Sequence, residues 1–324
     1  MTLDRAMAGQ PFRLDLFRCH EAAQQLSLYK AAMVEEPWAS EPKIDQFVFK
    51  TLFISICHQM NWDVMQSAMA SLLFPNPYRR LSEFAQLPAK SIADALKNYG
   101  KQDRVKANER AKILRKTALE LKQRLSTNAD IEKVLSDPRL EGPKGFYEFI
   151  AQISAFTGDP FQKKARVLAH DLFREGIIPF SDPENLKPAV EYHLIRLYLR
   201  TGRVYTDDKD VLAILTGPPQ KTRDRLVKLV REAVDEAMRY TALYSGLDAA
   251  TLNYLEWQIG RSICIEELDD EKISRYCMGE KIEALPDDVA AIAEKGCPMR
   301  HSCRKLNDDN YPWLNEPQFQ KAFY

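Results

Sequence analysis

The sequence predicts a mostly α-helical protein. Apolar residues recur at helical spacing along nearly the whole chain, strand-like alternation is scarce, and only 12 glycines punctuate 324 residues. That length suffices for two compact lobes, or for one domain with insertions. An apolar fraction of 45% and a charged fraction of 28% are ordinary for a globular protein. Net charge is zero, from 46 basic and 46 acidic residues, which argues against a chain coated in positive charge but leaves room for a local basic face. No run approaches the length of a membrane span, and Met1 to Gln10 lacks the basic and apolar regions of a signal peptide. A cytoplasmic protein without membrane contact is expected. No internal repeat or low-complexity segment stands out.

Residues 12–35 read as one or two amphipathic helices, with Phe12, Leu14, Leu16, Phe17 and Leu26 on the apolar side. Pro37, Trp38 and Pro42 form a connector. A helix from about Gln46 to Met60 is apolar nearly all round, through Phe47, Phe49, Leu52, Phe53, Ile54 and Ile56, and should be buried. The polar group His58-Gln59-Met60-Asn61-Trp62 breaks that pattern, and a second helix, Asp63 to Leu73, stops before Pro75 and Pro77. Short helices open near Leu81 and at Pro88, the latter ending at Gly100. Arg104 to Leu125 is a long helix whose Lys106, Arg110, Lys112, Arg115, Lys116, Lys122 and Arg124 make either a solvated basic face or a phosphate-binding one.

Phe146 to Phe156 is again apolar at helical spacing. The turn Thr157-Gly158-Asp159-Pro160-Phe161-Gln162 follows, and Lys163-Lys164-Ala165 start a helix running to Phe173. Helix, short turn, helix can aim backbone N–H groups at a phosphate, although a plain helical hairpin reads the same. In the stretch 188–204, Pro188 suits a first helical turn, Leu194, Leu197 and Leu199 supply apolar positions, and Gly202 is a stop. Glu191 then falls in the first turn, where unpaired N–H groups and the helix dipole favour a carboxylate anion. Such a carboxylate can cap the helix, stabilise a cation opposite it, or orient a water. Long helices are expected over Thr222 to Tyr244 and Leu252 to Ile263.

Four of the six cysteines, Cys264, Cys277, Cys297 and Cys303, lie in the last quarter of the chain, spaced C-x12-C-x19-C-x5-C. In a cytosolic chain this clustering points to a metal rather than to disulfides. Four thiolates suit tetrahedral zinc or a [4Fe–4S] cluster, and the absence of close Cys-x-x-Cys knuckles makes zinc the weaker choice. Cys57 reads as a small core residue.

Five segments together resemble the endonuclease III family. Gly260-Arg261-Ser262-Ile263-Cys264 is similar to the Gly-Arg-x-x-Cys that carries its first cluster ligand, and Cys297-Pro298-Met299-Arg300-His301-Ser302-Cys303 to its closing Cys-x5-Cys. Val190 to Gly202 resembles the signature Val-Asp-x-His-Val-x-Arg-Val-x-x-Arg-Leu-Gly. Lys163-Lys164-Ala165 falls where the family has Lys-x-Ala after its helix-hairpin-helix, and Ile56 to Trp62 resembles its buried helix ending in a glutamine. The five occur in family order over roughly residues 46–303.

The resemblance implies an all-α, two-lobed helix-hairpin-helix DNA glycosylase with a C-terminal [4Fe–4S] cluster loop, acting on double-stranded DNA in the cytoplasm (on the nucleoid, in a prokaryote) and monomeric. Residues 46–180 would form the helical barrel with the hairpin; residues 1–45 and 181–324 would form the cluster lobe. Such enzymes flip a nucleotide out of the duplex and cleave its N-glycosidic bond. Glu191 and Lys163 would be the catalytic pair, the first stabilising positive charge on the sugar, the second attacking it as an amine with strand cleavage. Lys164 is the competitor if the register slips. Gln59 would fill the gap left by the flipped base, Trp62 would stack on DNA or belong to the core, and Gly158 and Lys164 would lie at the DNA. Cys264, Cys277, Cys297 and Cys303 would hold the cluster, setting Arg300, Arg304 and Lys305 near phosphates. His193 is assigned to structure.

The chain departs from the family pattern at several points. Glu191 stands where the family has aspartate, the hairpin is one residue longer and lacks its second glycine, and Lys163 and Glu191 are more widely separated, closer to the archaeal 8-oxoguanine glycosylases. A DNA-binding protein that retains the fold and cluster without catalysis is the second reading; a zinc-stabilised helical interaction protein is the third.

Overall fold

The computed structural model describes residues 4–7, 9–30, 36–127, 135–136, 138–159, 161–217, 221–222, 224–266, 276–277, 285–293 and 296–319. The chain is mostly helical, as its apolar spacing predicts, and it divides into two compact units. One comprises residues 1–33 and 187–323, the other residues 34–186.

In chain order the first unit contributes β1 (Asp4–Ala6), β2 (Phe12–Asp15) and α1 (Leu16–Leu26). The second contributes α2 (Lys43–Ile56), α3 (Trp62–Leu73), α4 (Leu81–Phe84), α5 (Ala89–Ala95), α6 (Ala107–Arg124), α7 (Phe146–Ile150) and α8 (Lys163–Arg174). The first unit resumes with α9 (Tyr192–Thr201), β3 (Val204–Thr206), α10 (Lys209–Thr216), β4 (Lys221–Thr222), α11 (Asp224–Ser245), α12 (Ala249–Ser262), α13 (Asp287–Ile292), α14 (Arg304–Asn307) and β5 (Gln318–Phe319).

The largest correction to the sequence reading lies at residues 12–15, which form a strand, not a helix start. Phe12 and Leu14 are fully buried while Arg13 between them is exposed, a period of two over a segment too short for helical and strand spacing to be told apart. The strand is central in a three-stranded antiparallel sheet, with Phe12 opposite Thr206, Leu14 opposite Val204 and Asp15 opposite Asp4. Asp15 then caps α1 by accepting from the Arg18 N–H at 3.0 Å. Phe17, expected on the apolar side, is 52% exposed.

The core of the first unit gathers Phe12, Leu14, Val190, Leu194, Tyr198 and Leu199 against Val230, Val234 and Ala237 of α11. Gly202 ends α9 as expected, at φ +76, with its N–H on the Leu199 carbonyl. In the second unit α2 is buried almost all round, and α6 and α8 pack against it. The apolar stretch 146–156 is α7 followed by a single 3-10 turn, not one helix.

Arg110 corrects the reading of α6 as a basic face. It is fully buried, donating from Nε to the Val105 carbonyl (2.7 Å) and from Nη2 to the carbonyls of His58 (2.7 Å) and Arg104 (3.1 Å), with Nη1 on the Ile56 carbonyl. One guanidinium thus fastens the turn 57–61 to the segment that precedes α6, satisfying carbonyls that the end of α2 leaves open.

Candidate active site

Glu191 stands at the N-cap of α9, one residue before the first helical turn, and Pro188 lies further out in extended chain. Its Oε1 accepts from the backbone N–H of His193 (2.8 Å) and Leu194 (3.3 Å), and the residue is 8% exposed. The carboxylate therefore sits on the positive end of the helix dipole. Capping is thus part of what Glu191 does.

The rest of the signature segment fixes that helix start. Arg196 is buried and reaches the His193 Nδ1 (2.8 Å), the Gly260 carbonyl (3.2 Å), the Cys264 carbonyl (2.7 Å) and the Glu316 carboxylate (2.5 Å). Arg200 donates to the Ile265 and Glu266 carbonyls and approaches Cys264 Sγ at 3.7 Å. His193 packs on α12 where Gly260 has no side chain. A Cβ at Gly260 would lie 2.9 Å from the His193 carbonyl oxygen and 3.1 Å from its Cβ. Gly260→Ala is therefore expected to destabilise the protein by about 1–3 kcal/mol, because backbone rather than a flexible side chain must yield. A urea midpoint equal to wild type would contradict it.

The four C-terminal cysteines are all reduced and all buried, and Cys264, Cys277 and Cys297 share one apolar cluster with Leu197, Leu255, Ile259 and Met299. The Cys297 N–H donates to the Cys277 carbonyl at 3.1 Å, and Cys303 Sγ lies 3.6 Å from the Arg200 carbonyl. Burial first, then the neighbouring thiols, push Cys277 up to about 12 and Cys297 well above its ordinary value; burial also raises Cys303 to about 11. Among the described residues, no group of three or more His, Cys, Asp or Glu side chains is arranged to hold a metal ion. Burial and donor chemistry fit a thiolate-bound cluster. Arg304 and Lys305, expected at phosphates, are engaged internally: Arg304 lies over the Tyr311 ring and pairs with Asp308, and Lys305 donates to the Tyr311 carbonyl.

In the other unit, Gln59 occupies the turn after α2 with a left-handed backbone (φ +56) and an exposed side chain, whose Oε1 accepts from Lys106 Nζ at 2.8 Å. Next to it His58 is buried, and burial with the Arg110, Lys164 and Lys106 charges pulls its ring down to about 3, so it is neutral. Trp62 opens α3, edge-on to Phe53 at 4.7 Å between centroids.

The hairpin turn differs from a free phosphate cradle. Asp159 folds back so that Oδ1 accepts from the Phe161 N–H (3.0 Å) and Oδ2 from the Lys163 N–H (3.1 Å). Two N–H groups that such a turn offers to a phosphate are already used. Pro160 lies outside the described residues. Gly158 has an ordinary negative φ and open space where a Cβ would be, so neither backbone nor packing demands a glycine there.

The two hairpin lysines separate by environment. Lys164 is 8% exposed and its Nζ donates to the Ser55 carbonyl, where α2 ends; burial, with repulsion from Lys163 and Arg110, pulls its ammonium down to about 8. Lys163 is half-buried at the first position of α8. Glu191 and Lys163 belong to different units.

No protein-family model matches the chain, and no curated protein sequence matches it significantly.

Proposed function

We propose that this chain is a helix-hairpin-helix DNA glycosylase that flips a damaged or modified base out of duplex DNA and excises it. The observation that carries the reading is Glu191: a nearly buried carboxylate, fixed at a helix start by a network of buried arginines, inside the segment that resembles the glycosylase signature. A fixed anion stabilises the positive charge that grows on the sugar as the glycosidic bond breaks, and a carboxylate also takes a proton from an attacking water.

Lys163 is the amine assigned to attack the sugar. Burial lowers the Lys164 ammonium pKa to about 8, which favours a nucleophile, but its Nζ is committed to the Ser55 carbonyl. Borohydride trapping of the protein on DNA containing an abasic site is therefore expected to disappear in Lys163→Ala and persist in Lys164→Ala. The reverse pattern would exchange their roles, and no trapping by wild type would mean base release without strand cleavage. Cys264, Cys277, Cys297 and Cys303 are the residues assigned to a [4Fe–4S] cluster, which when bound supplies folding energy to the C-terminal loop. Iron and sulfide in the purified protein test that assignment, zinc being the alternative.

Mass spectrometry of free bases released from chemically damaged and naturally hypermodified DNAs, with Glu191→Gln beside wild type, tests the reading. A base released by wild type alone identifies the substrate. A second reading, a DNA-binding protein without catalysis, is favoured by the engagement of Glu191 Oε1 with two backbone N–H groups, which a capping role alone explains. Salt-dependent duplex binding with no base released from any DNA would establish it.

A further inference from the structure

Lys50 lies within α2, fully buried, and its ammonium serves several side chains at once. It donates to Asp171 Oδ2 at 3.2 Å, to Gln66 Oε1 at 3.3 Å, and to the Glu175 carboxylate, its nearest contact. The Trp38 ring lies 5.1 Å from the same ammonium, and Trp38 Nε1 donates to the second oxygen of Glu175 at 3.2 Å. Glu36 is a third carboxylate that feels this ammonium.

One fully buried cation faces three part-buried carboxylates, an excess of negative charge that partial burial makes costly and a proton relieves. Glu175, the nearest carboxylate to the ammonium, is the group placed to take it. Burial, then Asp171 and Glu36, push its carboxyl up to about 7 against the pull of Lys50. The charged groups facing the cluster are Lys50 from α2, Asp171 and Arg174 from α8, Glu36 from the segment before α2, and Asp63 from α3, the last acting on Glu36.

Gln66 extends the cluster to Trp62. Its Oε1 accepts both Lys50 Nζ and, at 3.1 Å, the Trp62 indole N–H. Trp62 follows the Gln59 turn directly and is half-buried.

We propose that Lys50, Gln66 and Glu175 form a proton-operated positioning device for the Trp62 indole. Its use, which rests on the glycosylase reading, is to steady a stacking face for an unpaired base. With Glu175 ionised, the ammonium is drawn to Asp171 and Glu175, and its bond to Gln66 Oε1, at 3.3 Å, is longer than the 3.1 Å bond that the indole N–H makes there. With Glu175 protonated, Lys50 loses its nearest anion, moves toward Gln66 Oε1 and competes with the indole. Trp62 is held more firmly above neutral pH than below it. Gln66 and Glu175 are positioning residues and touch no substrate.

Tryptophan emission of the full chain, taken as wild type minus Trp62→Phe, isolates this indole from the other three. Acrylamide quenching of that difference signal is expected to rise as pH falls through a midpoint of about 7. In Glu175→Gln it should be flat. Gln66→Met should also remove the Trp62 transition while leaving that of Trp38, and it carries the test if Glu175→Gln does not fold. A Trp62 signal that does not titrate, or that titrates unchanged in Gln66→Met, overturns the proposal. A duplex containing an abasic site separates the two readings. DNA quenching of Trp62 that strengthens above the midpoint supports both. No quenching by DNA at any pH, with the free-protein titration intact, removes the stacking role and counts against the glycosylase reading, while the device itself stands.

Discussion

Arg203→Met is expected to remove about 3–5 kcal/mol of unfolding free energy, the cost of leaving a buried charge without its partner. Arg203 and Glu256 are both fully buried and joined Nη1 to Oε1. Arg203 also donates to Thr201 Oγ1 at 3.0 Å and lies over the Tyr198 ring at 3.6 Å, and Tyr198 donates to Glu256 Oε2 at 2.7 Å. Burial alone would lower the arginine pKa; Glu256 and Tyr198 reverse that and raise it, so the cation is secure only while the carboxylate stands beside it. Without Arg203, Glu256 keeps one hydroxyl donor in an apolar interior and must carry its charge unpaired or take up a proton. Against a total stability of about 5–15 kcal/mol that loss is severe. The double variant Arg203→Met with Glu256→Met is expected to regain most of it, since no charge is then stranded. Urea unfolding of the three variants decides the matter. A single-variant loss below about 1 kcal/mol would show that water reaches the carboxylate.

What the sequence made legible was the pattern that repeats. Helices long enough to show several turns of apolar spacing, such as α2, α11 and α12, lie close to where that spacing put them. The four-residue strand at Phe12 was not legible, because one partner, Val204–Thr206, lies about 190 residues away and the other, Asp4–Ala6, is only three residues long. Glu191 was legible as a helix-start carboxylate, but its place at the cap depends on where Pro188 lets the helix begin. Charged residues with tertiary partners were the least legible. Arg110 read as one of seven surface cations, yet it is the most enclosed, because its partners are backbone carbonyls that carry no sequence signal. Lys50 did offer a signal: a lysine inside the apolar run Phe47 to Ile56 has to find acids, and Asp171 in the last turn of α8 and Glu175 at its C-cap are four residues apart. Asp159 offered another, since an aspartate within four residues of a helix start commonly turns back on its N–H groups.

Glu191→Gln separates the two things this carboxylate is in a position to do. The amide keeps an oxygen that accepts from the His193 and Leu194 N–H groups, so the cap survives and stability is expected to fall by less than about 1 kcal/mol. The negative charge is lost, and with it both the stabilisation of a cationic sugar and the capacity to take a proton. On the proposed glycosylase reading, base release should therefore drop by roughly 10²–10⁴-fold while duplex affinity at fixed salt stays near wild type. Glu191→Ala removes cap and charge together, and is expected to cost about 0.5–2 kcal/mol in addition to the same loss of activity. Glu191→Asp, which restores the residue type of the signature that the segment resembles, keeps the charge but withdraws it by one methylene on a helix start pinned by Arg196. If a gain or an unchanged rate followed that shortening, the longer side chain would not be tuned to this site. A fall comparable to that of glutamine would mean that the position of the oxygens, and not charge alone, sets the rate. Single-turnover base release on the identified substrate, with urea unfolding of each variant alongside, reads both effects. Activity lost only in proportion to stability would leave Glu191 as a cap.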